Sequence, residues 1–107
     1  MDVKKNIIKI ARAVDEIREE WGPIGVNSFY RPWHINRAIG SRSSNHPSGT
    51  AMDFRCLRGN TIGLERMIKE KYYDSGKWNG GMGFGAARKN FVHLDLNPQY
   101  GKRCWNY

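Results

Sequence analysis

Ile7, Ile10, Val14, Ile17 and Trp21 recur at alternating steps of three and four residues, with Lys, Arg, Asp and Glu between them. That period marks a helix with a single apolar stripe, so residues 3 to 21 are expected to form an amphipathic helix that Gly22-Pro23 stops. Shorter segments with a different rhythm follow. Ile24 to Phe29 reads as a strand closed by Arg31-Pro32, residues 34 to 39 as a brief helix before Gly40, and Thr50 to Phe54 as a strand with Ala51 and Asp53 on one face. A helix from Asn60 or Thr61 to about Tyr73 would bury Leu64, Met67, Ile68 and Tyr72. Residues 76 to 85 carry five glycines and read as a loop plus a glycine-bearing strand. Phe91 to Leu96 is the last clear strand, and its period of two puts His93 and Asp95 on one face. At 107 residues the chain fits one domain, residues 1–107, near the lower end of what buries a self-sufficient core. The expected class is α+β: a short antiparallel sheet carrying the functional site, flanked by helices.

Two of these segments carry chemistry. His46, in the polar loop 41 to 48, lies seven residues before Asp53, and His93 comes from a different strand. Together they supply the mixed nitrogen and oxygen donors that suit one catalytic zinc with an open position for water.

The wording around them is specific. Residues 44 to 53 read Ser-x-His-x-x-Gly-x-Ala-x-Asp, and Val92-His93-Leu94-Asp95 supplies a downstream His-x-Asp. Ser28-Phe29-Tyr30-Arg31 and Gly81-Met82-Gly83-Phe84 complete four segments in order. From Ile24 to Leu96 the chain resembles the zinc D-alanyl-D-alanine carboxypeptidase family. That family also contains phage L-alanyl-D-glutamate endolysins, cross-link endopeptidases of bacterial walls and the metal-binding domain of Hedgehog proteins. The resemblance implies His46, Asp53 and His93 as ligands of one zinc ion, Arg31 as the arginine facing the reaction centre, and peptidoglycan stem peptides as substrate. It also implies a base, either an acid three residues or a histidine two residues before the last ligand. Those positions hold Asn90 and Phe91, which cannot accept the proton. Asp95 is the provisional base, with the roles of orienting partner to His93 or of ligand also open to it. Ser44 is expected to be structural.

The formal charge of +8 favours polyanionic surroundings such as nucleic acid, lipid headgroups or wall polymers. The basic residues spread from Lys4 to Arg103 without a nucleic-acid motif, so no specific nucleic acid is expected, although charge keeps that class open as a rival. No stretch approaches the roughly 20 apolar residues of a membrane span, and the opening Met-Asp-Val-Lys-Lys-Asn leads into charged helix. The expectation is a monomer made in the cytoplasm that meets the wall as a phage lysin or virion-associated hydrolase. The other rival is a zinc-bearing binding or structural module without hydrolysis. Cys56 and Cys104 are expected as free thiols, with one disulfide as the alternative. Glu65, Glu70 and Asp74 read as solvated helix charges, and His34 as a surface or partly buried histidine. Trp33, Trp78, Trp105, Tyr72, Tyr73, Tyr100 and Tyr107 are expected mostly to complete a thin core, with a groove lining open to some of them. Residues 80 to 85 lack the Lys-Ser/Thr ending of a phosphate loop, so no nucleotide site is expected.

Overall fold

The computed structural model describes residues 3–30, 33–38, 49–96 and 101–107. Helix α1 (Val3–Trp21) buries Ile10, Val14 and Ile17. It stops where Gly22 turns to φ +125° while its N–H bonds Arg18 O at 2.8 Å, a conformation that a side chain would strain. Strand β1 (Ile24–Ser28), helix α2 (Trp33–Ala38) and strand β2 (Ala51–Cys56) follow. Helix α3 (Thr61–Ile68) begins with the Asn60 side chain accepting from the Ile62 N–H at 2.9 Å, and continues as a π turn over Lys69–Tyr73. The expected stripe of Leu64, Met67, Ile68 and Tyr72 is buried.

Strands β3 (Gly81–Phe84), β4 (Val92–Asp95) and β5 (Arg103–Asn106) complete a five-stranded sheet of order β1-β2-β4-β3-β5. The pairings are antiparallel except for β5, which runs parallel to β3 at the sheet edge. The fold is therefore α+β as expected, with one parallel edge strand in addition.

Alternation divides the sheet into two faces. Met52, Leu94 and Met82 stand in register across β2, β4 and β3, beside Phe54 opposite Val92. They form one buried cluster with Ile10, Val14 and Ile17 of α1 and Leu64, Met67 and Ile68 of α3. On the other face, Asp53, His93, Gly83 and Trp105 form one row, and Ala51, Asp95, Gly81 and Arg103 the next. A register shift between Val26 and Ser28 brings Ser28 opposite Asp53 as well.

Two expectations change. Tyr72 and Trp78 do join the core, but Trp105 pairs with Gly83 of the polar row, and Tyr107 lies against Trp105. Glu65 is not a solvated charge: its Oε1 accepts from the N–H groups of Gly85 (3.1 Å) and Ala87 (3.4 Å). Helical period places Glu65 on an outer face, but cannot show that a distant turn brings its unpaired donors there. The thiols are free, with Cys56 buried and Cys104 exposed. The side chain of Trp33 and all of Tyr100 lie outside the described residues.

Candidate metal centre

The β2–β4 register sets Asp53 directly across from His93, the arrangement in which facing side chains meet most readily. Asp53 Oδ1 lies 2.6 Å from His93 Nδ1. On the ring's other side, Nε2 is 3.4 Å from Asp95 Oδ2. Asp95 is fully buried, and both its oxygens accept from Arg103, whose Nη1 and Nη2 each stand 3.0 Å away. Such a two-pronged contact fixes orientation as well as charge.

Aromatic rings close the group. Trp105 meets His93 edge-on at 5.2 Å between centroids, and the Arg103 guanidinium lies 5.2 Å over the Trp105 ring. Tyr107 stacks edge-on with Phe91 at 5.4 Å. Glycine makes the space. A Cβ on Gly81 would overlap the Asp95 carboxylate, and one on Gly83 would overlap the Tyr107 ring. The glycines of β3 thus form a trough that holds these side chains.

Electrostatics follow from that enclosure. Burial alone would push the His93 pKa down, but hydrogen bonds and charge from Asp53 and Asp95 outweigh it, and the net direction is up. Burial would raise Asp95, yet His93 and Arg103 together hold its carboxyl below the usual range. Tyr107 is raised, first by burial and then by the two nearby carboxylates, against a lowering hydrogen bond with Trp105. Among the described residues, Asp53 and Asp95 bring two carboxylates to the fixed positive charge of Arg103. With a carboxylate and an imidazole in contact, the donor chemistry of the cluster fits a divalent cation such as zinc.

Asn90 and Phe91, at the positions where a base was sought, have other work. Asn90 takes φ +61° to cap the 3₁₀ turn Ala86–Lys89, and its Oδ1 accepts from Thr61 Oγ1 at 2.6 Å. Asn tolerates the left-handed region better than other side chains do. Phe91 packs on Tyr107.

Among the described residues no group of three or more His, Cys, Asp and Glu is placed to hold a metal. The structure brings together Asp53, His93 and Asp95, whereas His46, Arg31 and Ser44 lie outside the described residues. His34 is exposed on α2. Arg103 is the functional candidate that sequence reasoning passed over, counted there only among the dispersed cations. The signal was present in the period-two run Arg103, Trp105, Tyr107, which places one cation and two aromatic rings on the same side of a strand.

A family model described as Peptidase M15 matches residues 1–95. The match ends at Asp95 and leaves β5 outside it. Comparison with curated proteins and with solved structures gives no match.

Proposed function

Because the chain belongs to the Peptidase M15 family, the zinc D-alanyl-D-alanine carboxypeptidase family that its motifs resemble, we propose that it hydrolyses peptide bonds in peptidoglycan stem peptides with one zinc ion. Membership supports a peptidase acting on the wall. The observation that carries the metal reading is the partly buried contact of Asp53 with His93 across neighbouring strands.

In this reading Asp53 and His93 hold the ion together with His46. When bound, zinc polarises the scissile carbonyl and brings the pKa of a water towards roughly 7. Arg31 pairs with a substrate carboxylate or with the developing oxyanion. Of the three roles open to Asp95, the orienting one has the most support: Arg103 engages both oxygens, and a carboxylate with a lowered pKa is a weaker proton acceptor. Asp95 then holds the side of His93 remote from Asp53 and keeps the ring aligned. The sheet's polar face would receive the peptide, and the net positive charge would favour the anionic wall. Delivery as a phage-type lysin or virion-associated hydrolase belongs to the same proposal.

A second reading, a zinc-bearing module without hydrolysis, is favoured by one specific finding. Asn90, Phe91 and Asp95 are all engaged in structure, so the motif's described residues offer no uncommitted base.

Mass spectrometry of muropeptides after incubation with zinc-loaded protein separates the two. Hydrolysis predicts new peptide fragments that chelator abolishes and that identify the bond cut. Intact muropeptides with zinc bound in full would leave the non-catalytic module.

A further inference from the structure

Strand β5 lies beyond the part of the chain that the family model matches, yet it supplies closely packed partners to the site. Its backbone is tied to β3 at both ends, by Arg103 N–H to Gly80 O at 3.1 Å and Tyr107 N–H to Phe84 O at 2.8 Å. Lys102 adds a bond from Nζ to Tyr73 O at 2.8 Å. The parallel register then sets Arg103 beside Gly81 and Trp105 beside Gly83. Because both partners are glycines, the two side chains reach over β3 towards β4. Arg103 ends on both oxygens of Asp95 and Trp105 ends against the His93 ring.

We infer that Arg103 is a positioning residue for metal binding: it clamps Asp95 so that His93 presents its Asp53-facing nitrogen, Nδ1, to the ion. The inference rests on the zinc reading above. An imidazole offers a lone pair on one nitrogen only when the proton sits on the other. In the metal-free site Nδ1 is paired with Asp53 Oδ1 at 2.6 Å, and Asp95 Oδ2 stands 3.4 Å from Nε2, placed to accept the Nε2 proton once an ion takes the lone pair of Nδ1. Without the clamp, the buried Asp95 carboxylate loses the two-pronged contact that fixes both of its oxygens beside His93. Arg103 touches neither the ion nor the substrate in this account, and acts through Asp95. Trp105 supports the same geometry by confining the ring edge and lying under the guanidinium.

The test compares the full chain with Arg103→Lys, Arg103→Met and Cys104→Ser. Cys104 is the next residue on β5 and is exposed, so its variant controls for disturbance of the strand. Zinc affinity is measured by competition with a chromophoric chelator, and the His93 nitrogens by ¹⁵N NMR on metal-free protein. Loss of an outer partner of a metal ligand typically weakens affinity 10–100-fold. Arg103→Met is expected to fall in about that range, and Arg103→Lys to fall by less, since lysine keeps the charge but not the two-pronged contact. Both should change the His93 Nε2 signal, the nitrogen that faces Asp95, while Cys104→Ser matches the parent. Unchanged zinc affinity and unchanged His93 signals, whatever the melting temperature, would overturn the inference. Should Arg103→Met fail to fold, Arg103→Lys decides it. If the parent chain binds no zinc, the functional reading fails, and the His93 nitrogen signals alone decide whether Arg103 sets the ring.

Discussion

The two faces of the central strands are built from alternate residues of the same short segments, and different forces hold them. On the helix-covered face, Met52, Phe54, Met82, Val92 and Leu94 are buried apolar side chains. Their contribution is area removed from water, about 1.5–3 kcal/mol for each large side chain, and is not directional. On the opposite face, Asp53, His93, Asp95 and Arg103 are held by contacts of 2.6 to 3.4 Å. Their arrangement depends on geometry, and buried charges of this kind add specificity more surely than stability. One face makes the domain fold and the other gathers the candidate site, so substitutions on the two faces should separate stability from metal binding if the proposed function holds.

The largest effect is expected on the apolar face. Leu94 is fully buried between His93 and Asp95 in sequence, and Leu94→Ala should cost about 2–5 kcal/mol in denaturant unfolding. Zinc affinity of the folded fraction should stay near that of the parent. A large loss of affinity with little loss of stability would erase the distinction between the faces.

Gly81→Ala sharpens the comparison from the other side. The added methyl would meet the Asp95 carboxylate, and overpacking of this kind costs about 1–3 kcal/mol. Here affinity should fall alongside stability, because the displaced group is the partner of His93. Chelator competition and a thermal melt on the same variant check it. Parental affinity would show that the site does not need Asp95 in place.

The smallest effect is that of pH. With the His93 pKa raised, the protonated ring stabilises the metal-free fold. That contribution is fully present below the ordinary histidine pKa and is lost as pH rises through the raised value. Zinc needs the neutral ring, so its affinity should fall by about tenfold per pH unit below the raised value. Metal-free protein should therefore melt higher at mildly acidic than at mildly alkaline pH, while the extra stability given by zinc should grow with pH. Parallel trends with and without metal would contradict a role for His93 as ligand.

How much of this was legible in the sequence follows the same division. The stripes of α1 and α3 declare themselves because each is local, repeated and apolar, and the period of two in residues 92 to 95 placed His93 and Asp95 together. What could not be read depends on partners far away in the chain. Glu65 looked solvated because its partners, the N–H groups of Gly85 and Ala87, come from a turn twenty residues on. Strand β5 offers only the period-two run of Arg103, Trp105 and Tyr107 without an apolar stripe, and its partner β3 pairs with it in parallel at a sheet edge, which no local pattern reveals. The β3 glycines were visible, but their reason, a carboxylate and a ring lying across the strand, is a tertiary fact. Arg31 and His46 fall outside the described residues, and their roles rest on the motif.

The central proposal is one zinc ion bound through His46, Asp53 and His93, and elemental analysis of dialysed protein tests it most directly. The account predicts one zinc per chain in the parent, and loss of stoichiometric metal in each of His46→Ala, Asp53→Ala and His93→Ala while the fold persists by circular dichroism. Full zinc occupancy in folded Asp53→Ala and His93→Ala would contradict it.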